Sequence, residues 1–130
     1  MDLKEKKNNL LFTNHDAVGL PFLDNSADVS IFCNTMHHMP THTHLELLLE
    51  NLYRVGKKSV IIEIEKPSKT GLFPHLLNKY WYMGFLKDVG GAYLEEQEFQ
   101  TIVKSAAKDK NVEFSSFKNI QGKYMIAVVE

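Results

Sequence analysis

The stretch His15–Met39, HDAVGLPFLDNSADVSIFCNTMHHM, decides how this chain is read. It runs through an acidic loop, a Leu20-Pro21-Phe22 turn, an Asp24-Asn25-Ser26 turn, an apolar run and a polar strand end. Gly19, Pro21, Asp24 and Asn25 are turn formers, each by its own backbone chemistry. Val29 to Cys33 is a continuous β-rich run, which predicts a strand covered on both faces. Cys33 within it reads as a small core residue.

Outward from this stretch the periodicities change. Thr43 followed by Glu46 predicts a capping box. Leu45, Leu48, Leu49 and Leu52 then recur at helical spacing, with Val55 completing the face. Gly56 suits a left-handed helix stop, and Lys57 and Lys58 would complement the helix dipole. Ser59 to Ile64, SVIIEI, predicts a second buried strand. Strand, helix and strand make a βαβ unit, which is right-handed almost without exception. Glu63 and Glu65 alternate on one strand face and read as solvated carboxylates.

Leu10 to Thr13 predicts a short strand before the quoted stretch, and residues 1–8 a solvated terminus. Residues 67–91 are rich in aromatics and broken by Gly84, Gly90 and Gly91, which predicts a lid or cap. Leu94 to Ala107 predicts a helix with Phe99, Ile102 and Val103 inward. Val112 to Phe117 and Lys123 to Val129 predict two strands joined by a turn at Asn119–Gly122. The last strand is apolar on both faces and should lie inside the sheet. The expected fold is α/β: a reduced Rossmann-like sheet with a parallel βαβ core and a C-terminal antiparallel hairpin. A chain of 130 residues predicts one domain.

Composition narrows the partners. Net charge is −1 and Arg54 is the only arginine, so no nucleic-acid or anionic-membrane partner is expected. Cys33 is the only cysteine, which excludes an intrachain disulfide and a cysteine-based metal cluster. His38 and His42 stand four apart, but Pro40 lies between them and no metal is expected there. MDLKEKKNN is charged without an apolar region behind it, and no apolar run approaches the ~18 residues of a bilayer span. A cytoplasmic protein is expected.

The order of these elements resembles the class I S-adenosylmethionine (SAM) methyltransferases from their third strand onward. The resemblance covers roughly Leu10 to the C-terminus, and it is closest to the small-molecule, type 11-like members. It implies that Asp16 and Ala17 contact the adenine of SAM and that Asn34 contacts its methionine part. It implies a small-molecule substrate faced by His38 as general base, with Tyr80 and Trp81 on the lid. Leu20-Pro21-Phe22, Asp24-Asn25-Ser26, His37-His38 and Tyr53-Arg54-Val55 carry the remaining likeness.

The departures from the family are specific. Only fifteen residues precede Asp16, and no G-x-G pattern occurs in the chain. Such a turn lets backbone amides approach the cofactor. An acidic residue after the family's second strand, which holds the ribose, is missing too. Each buried hydrogen bond left unmade costs ~1–3 kcal/mol, so SAM binding by one copy is expected to be weak or absent. The strand at Val29–Cys33 would be left with an open edge. Leu10–Thr13, a second copy in a homodimer, or a separate partner chain is expected to cover it. The alternative reading is a non-catalytic interaction module or dimerisation subunit of the same lineage.

Overall fold

The computed structural model describes residues 14–66, 72–77, 80, 93–119 and 121–130. Four strands form one sheet in the order β1-β2-β4-β3, with β1 Ala27–Cys33, β2 Gly56–Ile64, β3 Val112–Asn119 and β4 Gly122–Val129. Helix α1 is His42–Val55, α2 Leu72–Leu77 and α3 Glu96–Ala107. β1 and β2 are parallel, with Val29 opposite Lys58 and Cys33 opposite Ile62. β4 pairs antiparallel with both β2 and β3. The α/β fold, the βαβ core and the C-terminal hairpin are those expected, and β4 is interior.

Both long helices lie on one face of the sheet. Leu45, Leu48 and Leu49 of α1 and Phe99, Ile102 and Val103 of α3 are buried against Ile61, Met125, Ala127 and Val129. Phe99 meets Phe114 of β3 edge-on, with ring centroids 6.2 Å apart. Alternation along the strands sends every second residue to the other face. There Val29 and Ile31 are 49% and 67% exposed, and Phe117 is exposed beside Tyr124. The expected two-sided cover of β1 is therefore wrong: one face is packed and the other is open. Cys33 falls on the open face and is exposed, not a core residue.

Helix ends differ from the sequence reading. Thr41, not Thr43, caps α1, and its hydroxyl accepts from the His44 amide at 3.2 Å. Thr43 already lies inside the helix. Gly56 is extended, at φ −89°, so no left-handed stop exists and α1 runs directly into β2. Its need for glycine is space, since a Cβ there would sit 2.6 Å from the Ser30 hydroxyl. That hydroxyl lies 2.7 Å from the Ser59 hydroxyl in the seam between β1 and β2. Lys57 and Lys58 consequently belong to β2 and pair with Asp28 and Glu130. α3 starts at Glu96, two residues later than expected, after a capping box made by Glu95 and Glu98. At the hairpin turn, the Asn119 side chain accepts from the Gln121 and Gly122 amides.

Lys123 and Tyr53 tie stability to alkaline pH. A hydrogen bond to Glu96, with the Glu65 charge nearby, raises the Lys123 pKa above its ordinary value. Burial raises that of Tyr53, whose hydroxyl has no hydrogen-bond partner among the described residues. The Lys123 contribution is fully present below the ordinary lysine pKa and is lost as pH rises through the folded one. Tyr53 acts in the same direction, because above pH ~10 the unfolded phenol ionises while the folded one keeps its proton. Urea melts between pH 8 and 11 should show stability falling above pH ~10. Tyr53→Phe should fold with unimpaired stability at pH 8 and lose part of that fall. An unchanged alkaline fall in this variant would exclude Tyr53 as a source.

Candidate functional site

The parallel strands β1 and β2 end at Cys33 and Ile64, and open α/β sheets place ligands outside such ends. Asn34 takes a left-handed turn, φ 49°, which asparagine tolerates better than most residues. Its amide donates to the Ile62 carbonyl at 2.8 Å, and the Thr35 hydroxyl donates to the Cys33 carbonyl at 2.8 Å. The chain then forms a single 3-10 turn, Met36–His38.

Under this turn lies Glu63, with 0% of its surface exposed. One carboxylate oxygen accepts from the Met36 amide at 2.7 Å. The other accepts from the Ile64 amide at 2.9 Å and lies 2.8 Å from Nδ1 of His37. A carboxylate can only accept, so in a Glu63 carboxylate–His37 contact Nδ1 is the donor. The His37 ring is 4% exposed and stacks on Tyr93 at 4.6 Å and 11°. His38 leans on it at 4.2 Å and is itself exposed. The Tyr93–Glu95 segment is held beside the strand ends by the Lys66 amide, which donates to the Leu94 carbonyl at 2.9 Å.

The reading of Glu63 and Glu65 as solvated is overturned. Both are buried, and Glu65 lies 3.5 Å from Lys123, which also reaches Glu96 at 2.6 Å. A charge inside SVIIEI was the available signal: an apolar run admits a carboxylate only where donors await it. His37 and Tyr93 were not separable from their neighbours by sequence. The structure brings Asn34 and His38 together with His37 and Glu63.

Asp16 and Ala17 stand on another turn, Ala17–Gly19, which packs on α1. Asp16 is exposed and its carboxylate accepts from the Val18 amide at 3.1 Å. The loop that follows is stapled by Arg54, whose guanidinium donates to the carbonyls of Leu20 at 2.8 Å and Phe22 at 2.6 Å and to Asp24 at 2.8 Å. Arg54 thus serves the loop, through the fork that makes arginine suited to several acceptors at once. Tyr80 is 68% exposed. Trp81, the Leu10–Thr13 strand, the terminus at 1–8 and most of the 67–91 lid lie outside the described residues.

A cavity of about 190 Å³ adjoins the site, lined in part by Met36, Thr41, His42 and Leu94. That is below the ~300–1,000 Å³ typical of small-molecule sites. A larger groove of about 400 Å³ lies at the far ends of α1 and α3, between Glu50 and Lys108, away from the strand ends. Among the described residues no cluster of His, Cys, Asp and Glu could hold a metal ion. No helix among them is long and apolar enough to cross a membrane.

The fold described above is one shared with known methyltransferases. A methyltransferase domain family matches residues 2–64. Among solved structures, a SAM-dependent methyltransferase of Thermotoga maritima, named as a possible histamine N-methyltransferase, is 14% identical with a TM-score of 0.63. The match covers 95% of this chain and 65% of that one. Human N-acetylserotonin methyltransferase, solved with SAM, is 19% identical at TM-score 0.60, over 95% of this chain and 36% of that one. A chain from the Haloferax volcanii complex of a methyltransferase activator with a methyltransferase is 12% identical at TM-score 0.60, over 88% and 58%. No curated protein matches the chain by sequence. The chain shares the fold of these methyltransferases, and it spans less than two thirds of the length of each of them.

Proposed function

We propose that this chain is a SAM-dependent methyltransferase-like domain of small-molecule type whose cofactor site is incomplete in one copy. The observation that carries the reading is the buried Glu63–His37 pair at the ends of the parallel strands, beneath the exposed His38. A buried carboxylate fixing a histidine is a costly arrangement. It holds the turn that presents Asn34 and His38 to the crevice where the fold places ligands.

The donor set fits SAM at two places. Asp16 and Ala17 would take the adenine, and Asn34 would take the methionine end. No G-x-G turn occurs in the chain for the middle of the cofactor. SAM, when bound, supplies an electrophilic methyl group. The chain's own part is orientation by Asn34 and the two turns, with His38 taking a proton from the methyl acceptor. Tyr80 and Trp81 would face that acceptor. A second copy or a partner chain would complete the site. The Haloferax volcanii complex, in which an activator accompanies a methyltransferase, supports such assembly. The exposed face of β1 favours the second reading, a non-catalytic interaction module of the same lineage. A cytoplasmic location agrees with either.

Isothermal titration with SAM and with S-adenosylhomocysteine tests the reading. Under conditions that leave the chain monomeric, no micromolar binding, about −8 kcal/mol, is expected. In the assembled form binding should appear, and Asp16→Ala should weaken it by about 10- to 100-fold, the worth of one charged hydrogen bond. No heat at millimolar ligand in any assembly state would reject the cofactor site and leave the interaction module. Binding unaffected by Asp16→Ala would remove Asp16 from the site.

A further inference from the structure

We infer that the cavity behind the Met36–His38 turn is a binding site for a single uncharged aromatic ring. Such a site goes beyond the reading above and needs no SAM. The cavity measures about 190 Å³. Protein cores are packed as densely as organic crystals, with few voids larger than a water molecule. A cavity of ~150 Å³ lined by apolar side chains stays dry and admits benzene. This one is therefore large enough for one ring, and too small for a whole ligand of ordinary size.

Three parts of the fold build its wall. The turn and the residue after it give Met36 and Met39, the first turn of α1 gives Leu45, and the segment before α3 gives Leu94. Met36, Leu45 and Leu94 are almost wholly buried. Thr41 and His42 also line the cavity, and both are exposed, so they mark its side toward solvent. The backbone of the wall is already hydrogen-bonded. The Met36 amide donates to Glu63, and the Met36 carbonyl accepts from the Met39 amide. The Leu94 carbonyl accepts from the Lys66 amide, and the Thr41 carbonyl from the Leu45 amide. The Thr41 hydroxyl accepts from the His44 amide and lies 2.7 Å from Nδ1 of His44. A buried water needs about 2–4 polar partners, and these groups are engaged elsewhere. An apolar occupant meets no such requirement.

The two methionines favour a ring over a branched alkyl group. A thioether makes favourable contacts at the edge of an aromatic ring, and its unbranched chain adapts to the shape it meets. Among the described residues His42 is the only titratable one that lines the cavity. A charge at the buried end would therefore lack a partner, which is costly. A polar substituent on the ring belongs at the mouth, beside the His42 side chain, which is 60% exposed.

Benzene is the probe, titrated without SAM into the full chain carrying carbon-13 in its methionine methyl groups. The Met36 and Met39 resonances, assigned through Met36→Leu and Met39→Leu, should shift under the ring current and saturate with a Kd of about 1 mM or below. The Met125 resonance should stay in place, since Met125 does not line the cavity. Leu94→Phe narrows the cavity and should abolish the response while leaving circular dichroism unchanged. Met36→Leu conserves volume and removes one sulfur. Read at Met39, it should weaken benzene about 2- to 10-fold. The inference is overturned by the lack of a saturable shift at either methionine in benzene-saturated buffer. An undiminished response in folded Leu94→Phe overturns it too, as does an affinity unaltered by Met36→Leu. Should Leu94→Phe not fold, the wild-type titration and Met36→Leu decide. Failure to bind SAM, which rejects the cofactor site, leaves the benzene titration untouched, so the two readings fail separately.

Discussion

Replacing Glu63 by alanine should cost about 3–5 kcal/mol of folding stability, because several buried donors lose their acceptor at about 1–3 kcal/mol each. The side chain is wholly buried and accepts from two backbone amides and one imidazole. Truncation leaves the Met36 and Ile64 amides and His37 without their acceptor in a place sealed from solvent, at about 1–3 kcal/mol per orphaned group. A domain of this size has about 5–15 kcal/mol in all, so the variant should sit close to unfolding. Glu63→Gln retains one carbonyl oxygen and should lose less, about 1–3 kcal/mol. Urea denaturation of the three proteins gives the comparison. A loss below about 1 kcal/mol in Glu63→Ala would show that the carboxylate does not hold the Met36–His38 turn. The order matters for function, because the turn released by Glu63→Ala is the one that carries His38.

Phe99→Ala should be of similar size, about 3–5 kcal/mol, for a different reason. Phe99 is among the largest fully buried side chains, and it ties α3 to β3 through Phe114. Its removal leaves a cavity between helix and sheet that the flanking Ile102 and Val103 cannot fill from their own positions. The melting temperature should fall by more than about 10 °C. The partition between the two variants is itself informative. Phe99→Leu should recover much of the lost stability, because hydrophobic volume is what the position requires. No apolar residue should recover Glu63, because amides and an imidazole require an acceptor. Recovery by Glu63→Leu would refute the polar account of the site.

Much of the architecture was legible because it rests on local patterns. The leucines of α1 recur at helical spacing, and SVIIEI and YMIAVV are too apolar to lie anywhere but inside a sheet. Asn119–Gly122 is hairpin chemistry, and the order of elements carries the methyltransferase likeness. Details of termini were less legible. Thr41 and Thr43 are equivalent as caps by sequence, and only the packed path of the chain puts Thr41 at the boundary. Gly56 satisfies two different needs, left-handed backbone or close approach, and the Ser30 hydroxyl settles which applies.

The site was legible by position and not by chemistry. Asn34 and His38 follow the end of β1 in the chain. The group that organises them is 26 residues further on, counting from His37 to Glu63. Glu63 and Glu65 looked alike in sequence because alternation along a strand says which face a side chain takes and nothing about what waits there. Sequence by itself determined the order of elements and the likeness to the methyltransferases that this order carries, since these depend on residue type and short spacing. Tertiary structure alone decided that Glu63 is buried under His37, that Arg54 staples the loop after Asp16, and that one face of β1 is open. Each of these joins residues distant in the chain, and burial is a property of the packed layers, not of any segment within them.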